Sequence, residues 1–285
     1  MPEEIHSMFV RAYPNRDPWV HKGDFGYVMI IAGSKKYSGS PVFNAMGALR
    51  AGADLAVVYG HPRAMDIAAR FTPDMITVPL EGEFGERDID EIVQEMGKYQ
   101  SLVIGCGMER SEASFKAIRM LIEKSTLPMV LDAEAIRALA GHTEILQGKK
   151  VVLTPNSEEF RVLTGEEVGT NEEERKEKVQ QWAHTLSVTI ILKGHHDIVS
   201  DGERAFVNTT GSPYMTKGGF GDVLTGIAGA LLARTGDPFE AACLGAYISG
   251  KAGEMAALKY SEGVLASDIF ECIPLVIQAD KSQPH

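Results

Sequence analysis

Apolar residues along the chain fall into short, nearly continuous runs, separated by stretches in which they recur every three or four positions. Aliphatic runs without polar alternation fit strands buried on both faces, and the longer recurrence fits helices with one apolar stripe. This reading predicts strands over 27–32, 55–59, 102–105, 129–132, 151–154 and 189–192, with a short extended piece over 75–80. Helices are predicted over 41–51, 64–70, 89–96, 113–124, 134–140, 157–163 and 172–186. Strand and helix alternate, which predicts a largely parallel sheet covered by helices on both faces. The pattern changes after 192, where runs over 198–200 and 204–208 flank Asp201-Gly202, a hairpin-turn pair. Long helices over 222–233, 238–258 and 267–278 close the chain. No linker rich in Pro, Gly or Ser and no internal repeat interrupts this order, so residues 1–285 are expected to form one domain.

The densest chemical signal is Lys217-Gly218-Gly219-Phe220-Gly221-Asp222, a glycine-rich turn running into a helix. Glycine permits dihedrals that aim successive N–H groups at an anion, and the positive end of the helix dipole adds to them. Val223, Leu224, Ile227, Ala228, Leu231 and Leu232 supply the apolar face that makes the helix credible. A carboxylate beside a phosphate would repel it, so Asp222 reads as a base for a hydroxyl that meets the phosphoryl group. The plainer reading of Asp222 is an N-cap on a tight strand-to-helix turn.

Ligands of open parallel sheets sit outside the carboxyl ends of the strands. Gly33-Ser34, Gly105-Cys106-Gly107, Asp132, Thr154-Pro155-Asn156 and Lys193-Gly194 all follow predicted strands, and with the Gly219–Asp222 turn they would line one long crevice, large enough for two ligands. Lys193 could neutralise phosphate charge, or be a solvated strand-end lysine. His195 and His196 are adjacent and would point to opposite faces of an extended segment, so spacing alone gives no metal site. Asn156-Ser157-Glu158-Glu159 is both an Asn-x-x-Glu pattern suited to magnesium and a helix capping box. The acidic-to-basic run over 171–178 reads as a solvated helix without chemistry.

Composition narrows the partners. The 285 residues are 44% apolar and 24% charged, with a formal charge of −11 and a pI near 5.2. Such a balance argues against nucleic acid and anionic membrane, so an anionic ligand must be held locally. Cys106, Cys243 and Cys272 are far apart and form no CxxC pair, which fits a reducing cytosol; Cys106 is expected to pack in the core, isolated from any base. Met1-Pro2-Glu3-Glu4 opens no leader segment, and no apolar run is long enough to span a bilayer, so a cytoplasmic protein is expected.

Taken in order, His21-Lys22-Gly23 with Gly26, Ile31-Ala32-Gly33-Ser34, Ser38-Gly39-Ser40-Pro41, Val103-Ile104-Gly105-Cys106-Gly107, Val130-Leu131-Asp132-Ala133, Leu153-Thr154-Pro155-Asn156, Leu192-Lys193-Gly194, Asn208-Thr209-Thr210-Gly211 and the Lys217–Asp222 turn resemble the ADP- or ATP-dependent NAD(P)H-hydrate dehydratases of the ribokinase-like superfamily. The resemblance implies a three-layer α/β sandwich, assembled into homo-oligomers such as tetramers. It implies repair of the S form of hydrated NADH or NADPH (NADHX, NADPHX): the nucleotide phosphorylates the ring hydroxyl, and loss of phosphate restores the dihydronicotinamide. Mg²⁺ is implied, with Glu159 as its carboxylate. Asp222 would be the catalytic base, and Ser40, Gly107, Asn156 and Asp222 would border the hydrate. Lys193, Gly194, His195, His196, Asp197, Asn208, Gly219 and Gly221 would border ADP or ATP. Many relatives carry a fused epimerase domain, which is expected here as a separate protein. The chain departs from common family residues at Ser40 (Ala), Cys106 (Pro), Asn156 (His) and Phe220 (Thr), the last removing one hydroxyl donor. A small-molecule hydroxyl kinase of the same fold, acting on hydroxyethylthiazole or hydroxymethylpyrimidine, is the enzymatic alternative, and a binding-only nucleotide sensor is the alternative from another class.

Overall fold

A computed structural model describes residues 2–281. The helix α1 (Glu3–Ala12) precedes β1 (Tyr27–Ile31), α2 (Ser40–Arg50), β2 (Leu55–Gly60), α3 (Pro62–Phe71) and β3 (Ile76–Pro79). The chain then runs through α4 (Ile89–Glu95), β4 (Ser101–Ile104), α5 (Glu112–Lys124), β5 (Met129–Leu131), α6 (Glu134–Ala138), β6 (Val151–Leu153) and α7 (Ser157–Thr164). It ends with α8 (Glu172–Leu186), β7 (Thr189–Leu192), β8 (Asp197–Ser200), β9 (Ala205–Asn208), α9 (Phe220–Thr235), α10 (Pro238–Tyr260) and α11 (Cys272–Lys281). The strands form one sheet in the order β3-β2-β1-β4-β5-β6-β7-β8-β9. All pairs from β3 to β7 are parallel, and β8 and β9 add on antiparallel as the hairpin around Asp201-Gly202.

Strand alternation divides the core into two layers. Val28, Ile30, Val103, Val130, Val152 and Ile191 face one side, where they pack with apolar residues of α2, α9 and α10. Their neighbours Met29, Ile31, Leu102, Ile104, Leu131 and Leu192 face the other side, against α4, α5, α7 and α8. Successive strand residues point to opposite faces, so uninterrupted aliphatic runs are what a doubly covered sheet needs. The fold is the three-layer sandwich expected from the alternation.

Two boundaries differ from the sequence reading. Helix α1 was not anticipated, although Ile5, Met8, Phe9 and Ala12 form its buried stripe. The closing helix over 267–278 is two pieces, a 3₁₀ turn (Ala266–Ile269) and α11. Pro274 explains the break: it has no N–H and is tolerated in the first turn of a helix, so α11 starts just before it.

The closest helix crossing sets the site. A Cβ on Gly226 of α9 would stand 2.1 Å from the Asn44 carbonyl of α2, and one on Gly47 would stand 2.5 Å from the Val223 carbonyl. These two hydrogens in place of side chains let Asn44 Nδ2 donate to the Asp222 carbonyl at 2.7 Å. Gly226→Ala is expected to lower stability by about 1–3 kcal/mol through overpacking, read from the urea midpoint. An unchanged midpoint would show that the two backbones separate without cost.

Candidate active site

The chain enters the sheet at β1, runs outward to β3, and returns to the far side of β1 as β4, so strand order reverses between β1 and β4. A crevice opens outside the carboxyl ends at such a reversal. There Gly33 N–H donates to the Cys106 carbonyl at 2.9 Å. Successive strand ends on the β4 side deliver Cys106, Asp132, Thr154 and Lys193, and α9 brings Asp222 over them.

Asp132, which sequence reasoning placed in the crevice but gave no role, is the centre of this group. It is 2% exposed. Its Oδ1 accepts from Lys193 Nζ and Thr154 Oγ1, both at 2.8 Å, and its Oδ2 accepts from Thr225 Oγ1 at 3.2 Å and the Cys106 thiol at 3.4 Å. Lys193 Nζ also lies 3.8 Å from Glu159. Burial alone would lower Lys193, but the charges of Asp132 and Glu159 overcome it and hold the ammonium above its ordinary range. Lys193, read from the sequence as a phosphate-facing cation or a solvated strand-end lysine, thus has buried carboxylate partners.

The Asp222 carboxylate adjoins the Ser40 hydroxyl and the Cys106 thiol, both of which favour its ionised form. Burial pushes its pKa up to about 6, with the charge of Asp132 next; Ser40, Lys193 and Cys106 act in the opposite direction. A carboxylate tuned this way is mostly ionised at neutral pH, yet more basic than an ordinary aspartate, which suits a proton acceptor. Cys106 corrects the sequence reading. It is buried as expected, but it sits between two carboxylates rather than away from them, and ligand atoms of Cys106, Asp132 and Asp222 lie within 4.8 Å of one another. Burial, then Asp132 and Asp222, push the thiol well up, so it is a neutral S–H donor and no nucleophile.

On the other side of the α9 N-terminus lies a cavity of about 450 Å³. Lys193, Gly194, His195, Asp197, Phe220 and Gly221 are among its walls. No side chain caps α9. Its first amides are therefore left to a ligand or to water, as an anion site requires. Gly219 adopts φ +99, and a Cβ there would meet Phe43 at 2.8 Å. Asp222 itself does not line the cavity; Gly221, next to it, does. Phe220 is 5% exposed and gives the wall an apolar surface at the position of the missing hydroxyl.

Several predicted nucleotide contacts are placed differently. Asn208 is fully buried: its Nδ2 donates to Asp197 and to the Ala246 carbonyl, and its Oδ1 accepts from Thr210. It braces the wall, and its neighbours Thr209 and Thr210 line the cavity instead. His195 and His196 do not point apart; their rings stack with centroids 4.4 Å apart. Residues 194–196 form a bend, not a strand, so strand alternation does not apply. His195 lines the cavity, whereas His196 contacts Glu172 and faces a separate cavity of about 120 Å³. Gly194 is needed for a reason the sequence did not show. A Cβ there would stand 2.6 Å from Arg175 Nη2. Arg175, from the helix read as carrying no chemistry, donates to the carbonyls of Lys193 at 3.1 Å and Gly169 at 3.2 Å and so fixes the turn after β7.

The predicted hydrate contacts lie on the Asp222 side. Ser40 touches Asp222, and a Cβ on Gly107, at φ +64, would stand 2.4 Å from Ser40 Oγ. Asn156 caps α7: its Oδ1 accepts from Glu159 N–H at 2.8 Å, and Glu159 Oε2 accepts from Asn156 N–H at 2.9 Å. Glu159 is 7% exposed, and burial raises it. The capping box therefore exists, and it aims Glu159 at Lys193.

The sequence model of the NAD(P)H-hydrate dehydratase family matches residues 28–275. A bifunctional NAD(P)H-hydrate repair enzyme of Pyrobaculum aerophilum is 42% identical over 90% of this chain and 51% of its own length. An ADP-dependent (S)-NAD(P)H-hydrate dehydratase of Cenarchaeum symbiosum is 36% identical over 93% of both chains. The chain spans about half the length of the bifunctional relatives it matches. The crystal structure of ADP/ATP-dependent NAD(P)H-hydrate dehydratase from Bacillus subtilis, grown with ATP and Mg²⁺, superimposes with a TM-score of 0.82 at 26% identity over 97% of both chains. A hydroxyethylthiazole kinase from Pyrococcus horikoshii, at a TM-score of 0.65 and 19% identity, shares the fold alone. The chain belongs to the NAD(P)H-hydrate dehydratase family.

Proposed function

We propose that this chain uses ADP or ATP to dehydrate the S form of hydrated NADH or NADPH, returning the reduced dinucleotide and releasing phosphate. One observation carries the reading: Asp222, a basic carboxylate, stands at an uncapped helix N-terminus, with a nucleotide-sized cavity walled by its neighbour Gly221 and a ledge made by Ser40 and Gly107 beside it. Asp222 takes the proton of the ring hydroxyl, and the freed oxygen attacks the terminal phosphorus of the nucleotide. The α9 amides accept the charge on the phosphoryl oxygens. The C–O bond to phosphate then breaks with its electron pair leaving on phosphate, the adjacent ring carbon gives up a proton to solvent, the ring double bond reforms from that C–H pair, and inorganic phosphate leaves. A kinase of the same fold would stop at the phosphoryl ester, and the family match supports it less.

Mg²⁺ fits the residues present. Asp132 and Glu159 are buried hard-oxygen donors that share one cation, Lys193, which itself lines the cavity, leaving a net negative charge behind that wall. Glu159 would hold the ion, directly or through water, and the ion would neutralise phosphate charge. Assembly into homo-oligomers is part of the same proposal: Phe71 and Ile76, at the β3 edge of the sheet, are 52% and 47% exposed. No helix among the described residues is long and apolar enough to cross a membrane, consistent with a cytoplasmic site of action.

Purified hydrate supplied with Mg²⁺ and either ADP or ATP should give equal amounts of recovered chromophore and phosphate. Nucleotide consumption with neither product would refute the proposal. Asp222→Asn should cut turnover by about 10²–10⁴-fold while nucleotide affinity, measured by calorimetry, stays within a few-fold. Turnover should fall on the acid side of pH about 6 as Asp222 is protonated. A pH profile flat down to 5 would remove Asp222 from the role of base.

The same carboxylate costs stability. Its folded value of about 6 lies above the ordinary 3.8, so between those values the native state binds more protons than the unfolded state. Stability contributed by this group is thus lost as pH rises through that window. Asp222→Asn is expected to be more stable than the parent at pH 7 by roughly 1–3 kcal/mol, and no more stable at pH 4, in matched urea titrations. Equal stability at pH 7 would show the carboxylate to be well solvated.

A further inference from the structure

The ledge leading away from Asp222 carries side chains that the chemistry above leaves unused. Gly107 touches Ser40 on one side, and its Cβ position lies 3.1 Å from Tyr37 Cβ on the other. Tyr37 is 50% exposed. Its backbone is nevertheless fixed: the N–H donates to Ser34 Oγ, and the carbonyl accepts from Ser34 N–H, both at 3.1 Å, with Ser34 only 2% exposed. A large ring held on a rigid turn at the mouth of a site is a preformed stacking surface, with little ordering left to do on binding.

One cation stands at the ring, and a second is within electrostatic reach of it. Lys36 Nζ lies 4.9 Å from its centroid. Arg110, whose charge interacts with Tyr37, is gripped through Nε and Nη2 by the Glu134 carboxylate at 2.7–3.2 Å. Its Nη1 makes no hydrogen bond among the described residues. Glu134 is 8% exposed and follows Ala133, whose φ of +46 is rare for an L residue. Strain of that kind persists where the surroundings hold it, and here it stands between Asp132 in the site and the carboxylate that orients Arg110. In a chain of net charge −11, a dinucleotide's diphosphate needs local cations. Amides and Lys193 serve the cavity side of α9, and Lys36 and Arg110 are the cations adjoining Tyr37 on the other.

We propose that Tyr37, Lys36 and Arg110 form the subsite for the dinucleotide end of the hydrate, the ring stacking on the substrate while the two cations take the diphosphate. The proposal rests on the dehydratase reading and extends it to the choice of a dinucleotide over a mononucleotide. Lys36→Ala and Tyr37→Ala change exposed side chains and should fold normally by thermal melt. Each should raise KM for hydrated NADH by about tenfold, the loss of one charge-assisted or stacked contact, with kcat changed far less and KM for the phosphoryl donor unmoved. Arg110→Lys should give a smaller rise, because charge is kept but the fork to Glu134 is lost. With hydrated nicotinamide mononucleotide, which lacks the diphosphate, Lys36→Ala should have no effect. An unchanged KM for hydrated NADH, or an equal rise with both substrates, would overturn the subsite. If the parent protein turns over no hydrate, the dehydratase reading fails instead. Fluorescence titration with NADH itself then reads the ledge alone, and weaker binding to Lys36→Ala supports it while equal binding refutes it.

Discussion

One buried ion pair organises the site. Asp132, Glu159 and Asp222 bring carboxylates to the ends of neighbouring elements, and Lys193 is the cation set among them. Burial is the main reason Asp222 holds its proton tightly; the Asp132 charge adds to it, and Lys193 offsets part of it. The Asp132–Lys193 contact is therefore a tuning device as well as a brace. Breaking such a pair by deleting one partner exposes the other to the full cost of burial, commonly several kcal/mol. Thr154, Thr225 and Cys106 complete the hydrogen bonding of Asp132, which is what makes a buried carboxylate tolerable.

The fold was legible because the inner strands β1, β4, β5, β6 and β7 are buried on both faces, so their sequences are uninterrupted runs with no competing pattern. The carboxyl-end rule then gathered Gly33, Cys106, Asp132, Thr154 and Lys193 before any coordinates. What the sequence could not give was direction. Asn208 reads as a polar strand-end residue like Asp132, yet its amide is spent on Asp197, Thr210 and the Ala246 carbonyl. His195 and His196 were assigned to opposite faces on a strand period that the local bend does not obey. Arg175 was hidden in a helix whose charge pattern looks wholly solvated, and only the turn after β7 reveals that one member of the pattern points inward. Helix α1 is the opposite case, since its stripe of Ile5, Met8, Phe9 and Ala12 stands in the sequence and was simply not read.

An acidic protein that is proposed to handle two anionic ligands must spread its positive potential by means other than net charge. On the cavity side this is done by geometry: glycine at 219 turns the chain so that α9 begins with unclaimed amides, and those partial charges carry no desolvation cost of a full ion. Gly221 lines that cavity and Asp222 does not, so in the proposed reaction the base stands beside the phosphates rather than among them. Crowding α2 against α9 through Gly47 and Gly226 is what holds this division, because Asn44 ties down the Asp222 carbonyl and leaves the side chain to Ser40 and Cys106. Backbone packing, helix polarity and the acidity of one carboxylate are thus a single arrangement, which in the proposed reaction brings a hydroxyl from the ledge to a phosphoryl group from the cavity.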